Sequence, residues 1–304
     1  MSARSAGRGT AAVAGGYPDD LRECVERHLE GLRFTGSAPQ TAGLEEAMRY
    51  SLLAGGKRIR PVLALATAQA AGTDPESVLP LAAAIELIHT YSLIHDDLPA
   101  MDDDDLRRGR PTCHVKFGED VAILAGDALY AEAFRHLLAE QQGPPERVLA
   151  AARELAAATG VDGMVGGQFL DVAGATGTPE ELRRLHELKT GRLIGASVAC
   201  VLLIAGMDEA ATMAYRRFAG ELGVLFQIVD DILDVTGDED ALGKPQGSDE
   251  RHGKRTYVSE FGLDGARALA GECHAKARAT LHEAAPAGAP QLEQITDFIL
   301  TRTT

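Results

Sequence analysis

Asp96, Asp97, Asp102, Asp103, Asp104 and Asp105 place six aspartates within ten residues, ahead of Arg107, Arg108 and Arg110. Like charges at this density are costly unless cations or water neutralise them. A solvated acidic loop is the ordinary reading of a charge run. Two features argue against it. The aspartates follow the apolar run from Ile85 to Ile94, which reads as a core helix, so the cluster sits at the mouth of something buried. A second set, Asp230, Asp231 and Asp234, lies far downstream in an equally apolar setting. Two carboxylate sets converging from buried helices describe a site for hard divalent metals.

On a helix, Asp230 and Asp234 stand about 40° apart, with Gln227 one turn earlier. An oxygen-only donor set with no neighbouring Cys or paired His favours Mg²⁺, or Mn²⁺, over zinc. Asp96 and Asp102 would be about 240° apart on an unbroken helix and cannot share a face. Pro99 breaks that helix and lets Asp102 fold back over Asp96. Alongside the acids stand Lys57, Arg60, Arg107, Arg108, Lys189, Lys244 and Lys254, all beside Gly, Thr or Pro turns. Arginine binds phosphate bidentately and lysine as a mobile point charge. Metals with these cations describe a site for diphosphate groups, and the apolar surroundings predict that the rest of the ligand is greasy. His89, His95 and His114 have no second His at ligand spacing and read as hydrogen-bonding residues rather than metal ligands.

The elements that must position these residues are helical. The spacing predicts helices over 19–34, 41–53, 61–71, 75–79, 80–97, 119–141 and 146–171. Another starts at Thr178-Pro179, carries Lys189-Thr190-Gly191 and runs to Ala205. A further one is capped by Asp208 and holds Asp230 to Asp234, and helices over 264–284 and 291–302 close the chain. No alternating strand pattern appears. Residues 236–257 are polar and Gly-rich, the longest loop-like stretch and a candidate lid. Residues 1–16, small and Gly-rich, read as a disordered tail, and 17–304 as one all-α domain.

The 304 residues are 45% hydrophobic and 25% charged, with a formal net charge of −15. That acidity excludes nucleic acid as a natural partner and disfavours an anionic membrane. Cys24, Cys113, Cys200 and Cys273 form no CxxC pair and read as reduced thiols of a cytoplasmic protein. No uninterrupted apolar run reaches the roughly 20 residues that span a bilayer.

At these residues the chain resembles the trans-isoprenyl diphosphate synthases, the polyprenyl synthetase family, over nearly its whole length after residue 17, and is most similar to bacterial farnesyl diphosphate synthases. The matching segments are Gly55-Gly56-Lys57-Arg58-Ile59-Arg60-Pro61, His89 through Asp105 with Arg107-Arg108-Gly109, Gly167-Gln168, and Lys189-Thr190-Gly191. Phe226-Gln227 with Asp230, Asp231 and Asp234 follows, then Gly243-Lys244-Pro245 with Gly247, Asp249 and Lys254. Two departures stand out. Asp103 to Asp105 make the first cluster more acidic than the minimal motif, and Val258 follows Tyr257 where relatives often carry proline.

The resemblance implies a helical bundle around a central cavity, usually a homodimer. Asp96, Asp102 and Asp230, helped by Asp97, Asp231 and Asp234, would hold Mg²⁺ against an allylic diphosphate, with Arg107, Lys189, Lys244 and Lys254 assisting. Gly56, Lys57, Arg60, His89 and Arg108 would bind isopentenyl diphosphate, and Thr190 and Gln227 would face the allylic cation. The implied reaction joins dimethylallyl or geranyl diphosphate to isopentenyl diphosphate, head to tail. Tyr91 and Ser92 lie five and four residues before Asp96, roughly 6–8 Å along the helix. Resemblance to bacterial enzymes with a Tyr-Ser pair there makes Tyr91 the expected floor for a fifteen-carbon product, with geranyl or geranylgeranyl diphosphate as alternatives. A terpene cyclase needs neither a second substrate nor the Gly56-Lys57-Arg60 cluster. A non-catalytic partner subunit commonly lacks part of an Asp-rich motif, and both are whole here.

Overall fold

Side-chain caps start helices at Thr178, Asp208 and Thr256, and Pro80, Pro145, Pro179 and Pro290 stand in first turns. Helix α1 (Asp19–Gly31) has two aspartates in its first turn and buries Leu21, Val25 and Leu29 at four-residue steps. Helices α2 (Ala42–Leu52), α3 (Ile59–Ala70) and α4 (Leu79–Asp96) follow. A single turn, α5 (Cys113–Phe117), leads into α6 (Glu119–Glu140). Then come α7 (Pro145–Thr159), α8 (Met164–Val172) and α9 (Pro179–His186), the last closed by the predicted Thr178–Glu181 capping box. One π-helical turn, Glu187–Gly191, joins α9 to α10 (Arg192–Ala205). Asp208 caps α11 (Glu209–Thr236) by accepting from the Ala211 amide. Helices α12 (Tyr257–Ala284) and α13 (Pro290–Thr301) complete the chain. This computed structural model describes residues 16–34, 38–174, 177–237 and 254–303. The expected tail, apart from Gly16, and most of the expected lid lie outside the described residues.

One continuous cluster of buried side chains runs from Leu21 to Ile299. Helix α11 packs most extensively on α12, α4 on α6, and α10 on α7. The α4–α6 contact depends on Gly126, because a Cβ there would lie 2.2 Å from His95 Nε2. Among the described residues the four cysteines are free thiols.

Four details differ from the sequence reading. The helix expected over 146–171 is two, because Gly160 is extended and the turn at Gly163 leaves no room for a Cβ, which would lie 2.1 Å from Ala158 O. A two-residue hairpin pairs Leu106–Arg107 with Arg110–Pro111. Its turn residues, Arg108 and Gly109, both have positive φ, the signature of a type I′ turn. The helix expected from 264 is preceded by a short helical turn from Tyr257, started by a Thr256–Ser259 capping box with Val258 in it, and a kink at Gly262 (φ +71°) separates that turn from the long helix. Finally, Pro75–Asp96 and Pro179–Ala205 are long and apolar enough to span a bilayer by length and composition. Both are 61% buried over the apolar stretch and pack inside the bundle, as core helices do.

Candidate active site

The first acidic segment is a helix end folded back on itself. After α4 stops at Asp96, Met101 and Asp103 amides bond to Leu98 O, and the Asp102 N–H donates to Asp96 O at 2.9 Å. Pro99 thus brings Asp102 over Asp96, as its position predicts. Asp103 and Asp105 point to solvent. The second segment is an unbroken stretch of α11.

Between them lies a cavity of about 730 Å³. Asp96, Asp102, Asp230 and Asp234 line it from the acidic segments, with Arg107, Lys189, Lys254, Thr190 and Gln227 around them. Tyr91 and Ser92, earlier on α4, line the same cavity, with Met164, Val165, Phe169 and Val172 of α8. A second cavity, about 880 Å³, opens beside it and is lined by Gly56, Lys57, Arg60, His89 and Arg108 with Arg22, Phe298 and Arg302. Arg60, His89, Arg108 and Phe226 border both cavities.

Asp97 and Asp231 do not face the cavity, which corrects their expected place among the metal-facing carboxylates. Asp97 is buried and takes Arg107 Nε at 2.8 and 2.9 Å. Asp231 is 1% exposed and accepts from Gln227 Nε2 at 2.8 Å and from the Tyr257 N–H at 2.7 Å, at the start of α12. Each sits one residue past a cavity-facing aspartate, and one helical step turns a side chain about 100° away. The Arg107 guanidinium is correspondingly committed to Asp97 while it borders the cavity. Lys244 lies outside the described residues.

Most site carboxylates rest on the chain's own cations. Asp102 takes Lys254 Nζ at 2.8 Å, and Asp230 takes Arg302 at 2.5 Å. Asp171, at the end of α8, takes Lys189 at 2.6 Å and lies 3.6 Å from Lys254. Among the described residues no three His, Cys, Asp or Glu side chains are already gathered as a ligand cluster. Asp96 differs, since its carboxylate makes no hydrogen bond or ion pair among the described residues. Burial pushes its pKa up to about 6 against the charges of Lys189, Arg107 and Lys254, with Asp102 adding to the rise. A buried carboxylate in that position is relieved by a cation.

The second cavity has the opposite character. Burial holds Arg60 below the ordinary arginine range, with Arg302 and Arg108 acting in the same direction against Glu86 and Asp230. Burial and then Arg60 and Arg108 hold His89 well below the usual imidazole range, so it is neutral at pH 7. Gly56 has φ +121°, and a Cβ there would come within 2.7 Å of the Arg108 guanidinium. Only glycine lets that side chain lie over the loop, where it donates to Gly55 O. Lys57, Arg60 and Arg108, which make no ion pair among the described residues, crowd a neutral histidine and form an anion site.

Thr190 and Gln227 form a small relay. Thr190, in the π-helical turn, donates to Gln227 Oε1 at 2.9 Å, and the amide then donates to Asp231. The relay fixes the amide orientation and leaves the Thr190 oxygen lone pairs available. Such turns recur at functional sites. Gly167 makes this packing possible, because a Cβ there would lie 2.2 Å from Lys189 N.

Sequence reasoning missed three contributors. Asp171 ends the expected helical stretch 146–171 but has no acidic neighbour to mark it. Arg302 lies 72 residues from its partner Asp230 and reaches it from the last turn of the chain. Arg58 stands inside the Gly55–Pro61 segment with no role that its neighbours in sequence suggest. It takes a left-handed conformation and is bonded to Glu26 at 2.8 Å and to Glu86 at 2.7 Å.

The polyprenyl synthetase family model matches residues 41–285. The chain belongs to the polyprenyl synthetase family. As a member, it is 48% identical over 255 residues to the farnesyl diphosphate synthase of Geobacillus stearothermophilus, covering 83% of this chain and 85% of that protein. It is 45% identical to the farnesyl diphosphate synthase of Escherichia coli K12, covering 94% and 99% respectively. Among solved structures, the Helicobacter pylori geranyltransferase complexed with magnesium and isoprenyl diphosphate matches with a TM-score of 0.81 at 34% identity, covering 93% of this chain and 94% of that one. The all-α bundle is therefore the fold of this polyprenyl synthetase, as its sequence predicts.

Proposed function

We propose that this polyprenyl synthetase condenses dimethylallyl or geranyl diphosphate with isopentenyl diphosphate, head to tail, and makes mainly farnesyl diphosphate. The observation that carries the reading is the pairing of two adjoining cavities, one presenting four aspartates interleaved with lysines and the other a cluster of arginines with Lys57, with Arg60, His89, Arg108 and Phe226 between them. A cyclase has no use for the second one. The farnesyl diphosphate synthase relatives support the same reading.

The all-oxygen donor set and the raised pKa of Asp96 fit Mg²⁺ or Mn²⁺. Asp96, Asp102, Asp230 and Asp234 are the residues that would hold the ions, with Asp171 beside them. Bound there, such ions offset the charge of the diphosphate and make it a better leaving group. The resting ion pairs then exchange partners. Lys254 and Lys189, resting on Asp102 and Asp171, are placed to turn to the allylic diphosphate oxygens. Lys57, Arg60 and Arg108 take the diphosphate of isopentenyl diphosphate, beside neutral His89 and the Gly56 backbone. Arg107 positions the site by holding Asp97.

The allylic carbon–oxygen bond breaks with its electron pair leaving on diphosphate, whose developing charge the lysines stabilise. The alkene of isopentenyl diphosphate attacks the allylic cation, forming the new carbon–carbon bond. Thr190 Oγ1 and the Gln227 carbonyl turn partial negative charge toward that cation. A proton then leaves the isopentenyl unit for the released diphosphate, so the side chains need supply no base. Tyr91 stops the growing chain.

A homodimer fits the outer side of α6, where exposed Leu124, Ala131 and Leu138 recur every seven residues. The protein acts in the cytoplasm, with no stable membrane anchoring. Incubating it with Mg²⁺, geranyl diphosphate and radiolabelled isopentenyl diphosphate tests the reading, with products identified by mass spectrometry. A labelled fifteen-carbon diphosphate is expected. Cyclic hydrocarbon without isopentenyl consumption would make it a cyclase, and no turnover a non-catalytic subunit.

A further inference from the structure

Tyr91 is not a free-standing floor. Its ring lines the cavity and meets the ring of Tyr130, on α6, edge-on at 5.1 Å. Tyr130 does not line the cavity, so it stands behind Tyr91 as seen by a prenyl chain. The second ring is anchored in two further ways. Its hydroxyl lies 3.2 Å from Thr159 Oγ1 at the end of α7, and Thr159 is fully buried. Thr159 spends its own hydrogen on the Leu155 or Ala156 carbonyl, which leaves its oxygen to accept from Tyr130. Phe134, one turn along α6, packs against the Tyr130 ring at 5.4 Å. His95, one turn along α4 from Tyr91, meets the Tyr91 ring at 5.6 Å and reaches Ile123 O at 3.0 Å across the Gly126 notch. The notch sets α4 against α6 closely enough for the two tyrosines to touch.

We infer that chain length in this protein is set by two tiers, with Tyr91 as the contact surface and Tyr130 as a positioning residue that braces it and stops the chain when Tyr91 is gone. The inference rests on the prenyl-chain reading of the cavity. Removing the Tyr91 ring opens space for about one more isoprene unit, since a truncated aromatic leaves a cavity near its own size. The chain end then meets the tethered Tyr130 ring rather than open space.

The test is the product distribution of purified full-length variants with geranyl diphosphate, isopentenyl diphosphate and Mg²⁺. Wild type should stop at fifteen carbons and Tyr91→Ala at twenty. Tyr91→Ala/Tyr130→Ala should pass twenty, raising the ratio of longer products to the twenty-carbon one by about tenfold or more, the discrimination a single misplaced methylene can produce in an apolar pocket. Tyr91→Ala/Tyr130→Phe keeps the ring and should stay at twenty. If the double alanine variant is poorly folded, Tyr91→Ala/Tyr130→Trp serves instead and should shorten the product back toward fifteen. Identical distributions for Tyr91→Ala and a folded double variant, either alanine or tryptophan, would overturn the second tier while leaving synthase activity intact. A wild type that makes no prenyl diphosphate, or one in which Tyr91→Ala changes nothing, would overturn the underlying reading as well.

Discussion

The two cavities share walls from α3, α4 and α11 and differ in how their charges are kept at rest. In the larger one, arginines surround neutral His89, and Arg60 and Arg108 are held below their ordinary range. In the other, Asp102, Asp230 and neighbouring Asp171 are already paired with Lys254, Arg302 and Lys189, whereas Asp96 has no such partner among the described residues. The arginine cavity awaits an anion directly. The carboxylate cavity must trade internal ion pairs for a cation and an anion together. Each charge set is costly on its own and becomes favourable only with its ligand, as expected where local consistency is sacrificed for function.

The comparison breaks most sharply at the carboxylates. Asp96→Ala or Asp230→Ala should lower kcat about 10²–10³-fold with unchanged circular dichroism, because each removes a group that arranges charge at the departing diphosphate. A variant retaining more than about a tenth of wild-type rate, only ~1.4 kcal/mol, would contradict the assignment. EDTA should silence wild type equally.

Next in size is the buried pair beneath the arginine cavity. Arg58 and Glu86 side chains are 1% and 2% exposed, so Arg58→Met strands a buried carboxylate. Breaking such a pair costs about 3–5 kcal/mol. Denaturant unfolding should show the loss, and Arg58→Met/Glu86→Leu should recover most of it. No recovery in the double variant would mean that the pair is not what holds this loop.

A smaller effect separates the cavities by substrate. Arg108→Ala should raise the KM for isopentenyl diphosphate about tenfold and leave that for geranyl diphosphate nearly unchanged, the loss of one charge-assisted contact. Equal shifts in both constants would remove the division between the cavities.

The smallest is a pH effect. The folded pKa of Asp96, about 6, lies above the ordinary carboxylate value of 3.8. The folded state therefore binds the extra proton between those values, and stability present at low pH is lost as pH rises through about 6. Asp96→Asn should accordingly raise the melting temperature of metal-free protein at pH 7.5 by a few degrees, and by less as pH falls toward 4. A lower melting temperature at pH 7.5 would show that Asp96 is not strained.

What could be read in advance follows local geometry. Asp230 and Asp234 share a face because they are four apart, and Asp102 returns over Asp96 because Pro99 stops the helix. The same rule, applied one residue further, would have set Asp97 and Asp231 aside. Their identity matched a motif while their angle did not. Arg302 was illegible for another reason, since no local pattern says that the last turn of a chain lies beside a helix 72 residues earlier. The division of 146–171 into two helices depended on glycines whose role appears only with the Ala158 and Val161 carbonyls packed against them.

Arg302 borders the arginine cavity while its guanidinium donates to Asp230, a wall of the carboxylate one, and lies 4.2 Å from the Phe226 ring between them. One guanidinium held by both sides makes the two binding equilibria a single linked system. If a diphosphate draws Arg302 away, Asp230 is released for a cation, and the factor by which the first ligand strengthens the second must equal the factor in reverse. Affinity measured for either substrate alone is then a property of half a thermodynamic cycle, and removing Arg302 should flatten that cycle more than it weakens either arm.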